Sequence, residues 1–534
     1  MLTDPCVVIL GRIHTMLEDK PCVEAVCATK GRVLCMGDRE EVLSFASARQ
    51  YSVIDTEGGH IYPGFIDSHS HLSGYSGMID DVFCGLSCGS ISTILALLKE
   101  QAEDSERDWV LGYGYDDTGL PEVRHLTREE LDQVSSVKPV MVRHVSLHFA
   151  YVNSVALRRL GFDADTRIEG GEIVLDEHGL PSGLITEAAA FKAFSAIPMP
   201  SLEQTKRNIA KALFEYNRQG VTAFVDSAIG ILGDAETVVK AYSQLAEEGR
   251  MTARAWLQAT TAVSACWESW LDAQKNDPDF LQLGGVKLFA DGSIQAFTAA
   301  LKQDYSARPG WRGAFVDGPE ELEQLICACN EQGKQAAVHA NGDAAVEAAL
   351  CAFEKAFSLL PRPELHHTIV HAQTASRDQL VRMKACGVLP TLFPVHIHLW
   401  GDRHLNVFLG PERAARLDPA GDCVRLGLPF GLHVDTPVTP PVVIGNMHHA
   451  VNRRTSSGVL LGEDQKISTL DAVKAYTVHA AKFCWREQEC GVIRPGGFAD
   501  MVCLDRDILQ TPPEEVGNVE VRMTVCGGKI VYQA

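Results

Sequence analysis

Between about residues 60 and 485 the chain alternates short apolar runs with longer stretches whose apolar residues recur every three or four positions. Eight runs read as strands: GFIDSHS (64–70), VTAFVDS (221–227), ARAWLQA (253–259), GVKLFADG (285–292), QAAVHANG (335–342), HTIVHAQT (367–374), GVLPTLFP (387–394) and PFGLHVDT (429–436). Most are nearly continuous in apolar character, as expected of parallel strands buried on both faces. Helical patterns lie between many of them. SLEQTKRNIAKALFEYNRQG (201–220) opens with Ser201 and Gln204 in capping-box spacing, carries Ile209, Leu213 and Tyr216 on one face, and ends at Gly220. PEELEQLICACNEQG, DAAVEAALCAFEKAF and TLDAVKAYTVHAAKF behave alike. Eight alternating units predict an α/β protein built on a (β/α)8 TIM barrel spanning 61–485. Residues 105–198, rich in turns and glycine, are too long for a loop and predict a subdomain inserted after barrel strand one.

The two ends have another texture. VVILGRIHTM, VEAVCATKGRVLCMGD and YSVIDTEGGHIYPG near the start, and CGVIRPGGFADMVCLD and VEVRMTVCGGKIVYQA near the end, are β-branched segments bounded by glycine. They predict a small discontinuous β-sandwich domain made of 1–60 plus 486–534.

Composition narrows the field of partners. The 534 residues are 46% apolar and 22% charged, with a formal net charge of −21. That acidity disfavours nucleic acid and anionic membrane as partners, because phosphate binding needs a basic surface. No run approaches the roughly 18 apolar residues of a membrane-spanning helix. The opening MLTDPCVVILGRIHTMLEDK lacks a basic segment followed by a clean apolar one, and the sixteen cysteines show no CxxC pairs. A reducing, cytoplasmic setting is the expectation, with homo-oligomerisation left open.

Functional groups of such a barrel sit at the C-terminal ends of its strands. Those ends offer His69 and His71, Lys287, His339, His371 and Asp435. Side chains at i and i+2 of a strand share a face, so His69-Ser70-His71 can turn two nitrogens toward one ion. Each residue alone has an ordinary reading: an exposed strand end, a snorkelling lysine, a hydrogen-bonded core histidine, an aspartate capping a turn. Six such side chains at the ends of five of eight strands are hard to attribute to packing. They predict one or two divalent metal ions, zinc first, with manganese or iron compatible. Less specific candidates are His148 in RHVSLHFAYVNS, Asp291 in the Asp-Gly turn after strand four, and His396 and Trp400 after strand seven.

The order H-x-H, Lys, His, His, Asp on a barrel with a split β domain resembles the amidohydrolase superfamily. YPGFIDSHSHL, VKLFADGSIQAFTAAL, AVHANGDAAVEAAL, TIVHAQ, FPVHIHLWGDRH, GLHVDTPVTPP and FADMVCLDRD are similar to amidohydrolase family 3, the N-substituted formamide deformylase-like branch, as are HFAYVNSVAL and PSGLITEAA in the insert. The resemblance implies a first ion held by His69, His71 and Asp435, a second held by His339 and His371, and Lys287 bridging them as a carbamate formed with CO2. It implies hydrolysis of a non-peptide C–N bond in a small amide-like substrate, a linear amide or N-substituted formamide, by metal-activated hydroxide with Asp435 as general base and acid. His396 would meet the carbonyl oxygen, His148 would face the substrate from the insert, Asp291 would position the strand-four loop or orient a ligand, and Trp400 would line the pocket mouth where substrate binds. Cyclic amidase, deaminase or esterase chemistry on the same site are rivals, as is a non-catalytic scaffold. The deaminase reading is weakened by NGDAAV after strand five, where a glutamate base is expected, and by the presence of Lys287.

Overall fold

The computed structural model describes residues 5–104, 108–231, 233–266, 269 and 277–534. Eight strands form one parallel sheet in chain order: β1 (Phe65–Ser70), β2 (Val221–Ile229), β3 (Arg254–Thr260), β4 (Leu281–Phe289), β5 (Gln335–Ala340), β6 (Thr368–His371), β7 (Leu389–Leu392) and β8 (Gly431–Leu432). Each overlaps one of the eight apolar runs. Every residue of β1, β2, β6 and β7 is buried, which accounts for their unbroken apolar character. β8 returns to β1: Ser68 Oγ donates to the Leu432 carbonyl at 3.0 Å, and the His71 amide donates to the Thr436 carbonyl at 2.8 Å. Glycine at 431 permits this approach, since a Cβ there would stand 2.3 Å from Ser68 Oγ. The sheet is a (β/α)8 barrel.

Helices between the strands begin and end where local chemistry dictates. Helix Leu202–Arg218 buries Ile209, Leu213 and Tyr216, the stripe read from the sequence. Helix Arg377–Cys386 starts with a capping box of Ser376 and Gln379 and stops at Gly387, which takes a left-handed conformation. The N-terminal end of the barrel is closed by apolar packing. Ile66 of β1, Ala223 and Val225 of β2, Trp256 of β3 and Leu389 of β7 cluster with Phe483 and Cys484 of the turn Ala480–Cys484. With one end plugged by apolar side chains, polar groups at the other end have somewhere to gather.

Strands from both chain ends form a seven-stranded sheet in the order 529–533, 521–526, 501–504, 51–63, 6–14, 22–29, 32–37. Val33 and Val525, from opposite ends of that order, share one core with Ile9, Ile13 and Met501, so the sheet curls over on itself. The compact unit holding this sheet and the barrel comprises 1–73, 202–436 and 440–534. A second unit comprises 74–201 with 437–439, built on a six-stranded sheet with an apolar core on each face. It begins at Gly74 rather than near 105, because helix Ile91–Asp104 lays its apolar residues Ile91, Ile94 and Leu98 into the core of that sheet. Among the described residues no helix is long and apolar enough to cross a membrane.

His367 shows how much the barrel depends on neutral imidazoles. Its Nδ1 accepts from the Ala336 amide at 2.9 Å and its Nε2 lies 3.2 Å from Asn330 Oδ1, with the ring stacked on Phe353. Burial, with His366 adding, pushes its pKa from the ordinary 6.5 to about 4. Its contribution to stability is therefore complete above pH 6.5 and drains away as pH falls toward about 4. We expect His367→Gln to lose ~1–3 kcal/mol at pH 7 in denaturant titrations. The variant should lose less than the parent on going to pH 5, and equal losses would remove this imidazole from the acid response.

Candidate active site

The strand ends carry polar residues in steps of two, which places them on one face of each strand. β1 delivers Asp67, His69 and, just past its end, His71; β5 delivers His339 and then Asn341; β6 ends at His371, followed by Gln373; β8 is followed by His433 and Asp435. Lys287 lies in β4. Two strand ends adopt backbone that non-glycine residues rarely take: φ is 69° at His371 and 46° at Ala372, and 52° at Asp435. Such conformations persist where surrounding structure imposes them, and they cluster at functional sites.

The side chains converge. Asp435 Oδ1 lies 3.4 Å from His69 Nε2 and 3.5 Å from His71 Nε2. One donor atom from each of these three residues lies within 4.8 Å of the others. His71 Nδ1 donates to the Ser227 carbonyl at 2.8 Å, which leaves the Nε2 lone pair facing Asp435. Lys287 Nζ stands 3.1 Å from His69 Nε2. The His371 ring centroid is 5.7 Å from that of His69 and 4.7 Å from that of His339. His339 Nε2 lies 3.2 Å from the Gly292 carbonyl oxygen and 3.0 Å from Asn341 Nδ2. The six residues singled out from the sequence thus meet at one end of the barrel.

Electrostatics match a site that favours neutral bases around one anion. Burial, then the neighbouring Lys287, holds His69 well below the ordinary histidine value. The same two causes take His339 to about 4, and burial holds His371 well below its ordinary value. Burial lowers Lys287 to about 7, with Asp435 opposing. The Asp435 carboxyl, which burial alone would push up, is held well below the usual carboxylate range by the His69 and His71 rings beside it. Asp435 Oδ1 and His371 Nδ1 are buried and make no hydrogen bond.

The remaining candidates separate. His396 is buried on helix Val395–Arg403, its ring 6.0 Å from that of His371, with Nδ1 unpaired and 3.8 Å from Asp418 Oδ1. Trp400 is buried one turn along, ring centroid 5.7 Å from His396. Its neighbours are structural: Asp402 accepts from the Thr455 and Ser457 hydroxyls at 2.8 and 2.6 Å, and His398 stacks on His449. Asp291 is no free substrate contact. Its oxygens accept from the Asn341, Gly342 and Ala300 amides at 2.9, 2.8 and 2.9 Å, clamping the loops after β4 and β5 together. His148 belongs to the second unit, where its Nδ1 lies 2.9 Å from Glu187 Oε2.

His433 was not among the residues singled out. It is buried, its ring 5.1 Å from those of both His69 and His371, and neither nitrogen has a partner. Asn341 Oδ1 and Gln373 Oε1 are likewise buried and unpaired. Their signal was present in the spacing, since each stands two residues from a residue that was picked.

A barrel whose polar end gathers imidazoles, a carboxylate and a buried amine defines a metal-dependent hydrolase of the barrel class. The chain belongs to the amidohydrolase family, whose model matches residues 52–532. It is 28% identical over 529 residues to a putative amidohydrolase, YtcJ, of Bacillus subtilis, covering 98% of both chains. It is also 28% identical over 549 residues to an N-substituted formamide deformylase of Arthrobacter pascens, again covering 98% of both. Among solved structures, an uncharacterized metal-dependent hydrolase from Pyrococcus furiosus superposes with a TM-score of 0.76 at 27% identity, covering 95% of this chain and 100% of that one. The protein is a hydrolase acting on carbon–nitrogen bonds.

Removing the Asp291 clamp should expose its role. We expect Asp291→Ala to cost at least ~3 kcal/mol, from three backbone amides left without acceptors, and to make the segment 292–300 more susceptible to proteolysis. Unchanged stability and proteolysis would show that other contacts hold these loops.

Proposed function

We propose that the protein hydrolyses a linear amide or N-substituted formamide of small size, with His69, His71 and Asp435 holding a divalent cation and Asp435 moving the proton. The observation that carries this reading is the set of three donor atoms within 4.8 Å, centred on a buried carboxylate oxygen without a hydrogen bond. An anionic oxygen left unpaired in a buried place is costly unless a cation meets it. The donor set fits zinc best, and manganese or iron also accept imidazole with carboxylate. A divalent cation bound there supplies Lewis acidity, polarising a carbonyl and lowering the pKa of a coordinated water from 15.7 to about 7.

The chain's own residues do the rest. Ser227 fixes the tautomer of His71 through its carbonyl. Asp435 takes the proton from the attacking water at the carboxylate oxygen turned away from the cation and returns it to the leaving nitrogen. His396 on the helix after β7 donates to the carbonyl oxygen as charge develops there, with Asp418 behind it. Trp400 packs beside His396 as an apolar wall for the substrate. Lys287, its pKa lowered to about 7, has the unprotonated amine that attack on CO2 needs. Addition of the amine to CO2 would form an N–C bond with loss of a proton, and the carbamate so made, with His339 and His371, would hold a second cation. The 28% identity to a relative named N-substituted formamide deformylase supports the choice of substrate class.

A substrate panel on zinc-reconstituted protein tests the reading. Formamides and linear acyl amides should turn over, and activity confined to lactams or esters would sink the assignment. Asp435→Asn should lower kcat by ~10²–10⁴ through lost proton transfer. Intact-protein mass spectrometry with and without bicarbonate should show one CO2 adduct that Lys287→Ala lacks, and bound metal should fall in the same variant. A variant with undiminished metal and no adduct in the parent would leave a single-ion site.

A further inference from the structure

The terminal β sheet carries a second group of metal-competent side chains that shares no residue with the barrel site. His14 ends strand Cys6–His14, His60 lies in strand Tyr51–Pro63, and Asp507 follows strand Met501–Leu504. His14 Nε2 is 3.2 Å from His60 Nδ1, and Asp507 Oδ2 is 3.9 Å from the first and 3.6 Å from the second. We propose that His14, His60 and Asp507 form a binding site for a divalent transition metal of the zinc type, which ties the N-terminal strand, the long central strand and the C-terminal loop together.

His14 and His60 are within hydrogen-bond range of each other, but neither reaches Asp507, so the carboxylate edge is left open to an ion. Bonds of about 2.0–2.1 Å to a tetrahedral ion separate donor atoms by about 3.3–3.4 Å. The three edges here, 3.2, 3.6 and 3.9 Å, bracket that value. Both contacts to the carboxylate are too long for the N–H···O bonds of 2.7–2.9 Å that a charged pair would make. The surroundings hold each ligand in place. The Tyr62 hydroxyl donates to Asp507 Oδ1 at 2.6 Å and the Leu509 amide donates to the same oxygen at 3.1 Å, which turns Oδ2 toward the imidazoles. The Tyr62 ring lies flat on His14, centroids 4.3 Å apart and planes 1° apart. Outer contacts of this kind orient metal ligands and are part of such sites.

The remaining groups are compatible with a bound ion. Burial, and the nearby His60 and Arg12, lower the pKa of His14 while Asp507 opposes, so His14 is neutral. Arg12 is exposed, so water screens its repulsion of a cation. The three side chains keep 13%, 18% and 11% of their surface accessible, enough for an ion to enter and for water to complete the coordination. Among the described residues the other group of this kind outside the barrel site, Asp116, Asp117 and His144, has a shorter imidazole–carboxylate contact. There His144 Nε2 is bonded directly to Asp117 at 3.1 Å and its Nδ1 pairs with Ser146, so both ring nitrogens are taken.

The test is a count of metal on the whole enzyme. Parent and His14→Ala/His60→Ala proteins are saturated with zinc, desalted and analysed by mass spectrometry of the metal. The parent should hold one zinc per chain more than the double variant, with hydrolase activity retained in both. Zinc should also raise the Tm of the parent by several degrees more than that of the variant. Equal zinc counts would overturn the proposal. Should the double variant not fold, anomalous diffraction at the zinc edge from parent crystals decides: a peak between His14, His60 and Asp507 supports the site, and its absence in crystals whose barrel site is filled overturns it.

Discussion

The structure depends on placing one ionised carboxylate, Asp435, against two imidazoles where water scarcely reaches. Leaving such an anion buried and short of hydrogen bonds is unfavourable, and the backbone at Asp435 is itself strained, with φ at 52°. The fold must therefore hold this arrangement against its own preference. It does so by closing β8 onto β1 through Ser68 and the His71 amide, and by packing the opposite end of the barrel with apolar side chains. A cation placed among those donors would relieve the strain that the apolar scaffold imposes, and ion binding and local stability are then one quantity.

Burial is also what sorts the protonation states. The same removal of water lowers Lys287 to about 7 and His339 to about 4, and it is overcome at Asp435, where the two flanking imidazoles favour the anion. A barrel interior thus yields neutral imidazoles, a carboxylate held in its anionic form and an amine of lowered pKa from residues that would titrate ordinarily in water. Asp291 illustrates the limit of that logic. It is equally buried and raised to about 7, yet its three backbone partners make it a clamp rather than a reactant.

Much of this was legible before any coordinates. All eight barrel strands overlap apolar runs read from the sequence, because strands buried on both faces have no polar alternation to confuse with a surface strand. The six residues at the strand ends were legible for a related reason: histidine, lysine and aspartate stand out against apolar neighbours. His433, Asn341 and Gln373 escaped notice although they share the two-residue spacing, since one polar residue beside a chosen one reads as a turn. The sequence left Asp291 between orienting a ligand and positioning the strand-four loop, because an Asp in a loop looks the same whether it meets a ligand or backbone amides. The start of the second unit near Gly74 was also missed, as helix Ile91–Asp104 has no feature that tells which sheet it will cover.

By itself the sequence determined the barrel, the split β sheet from both chain ends, and the identity of the side chains that gather at the strand ends. These follow from periodicity and residue type, which are properties of short stretches. Only the tertiary structure decided which nitrogen of His71 faces Asp435, which aspartates have their oxygens already taken, and that His14, His60 and Asp507 meet at all. Those outcomes depend on through-space distances between residues far apart in the chain, and on where water is excluded, and neither is written in any local pattern.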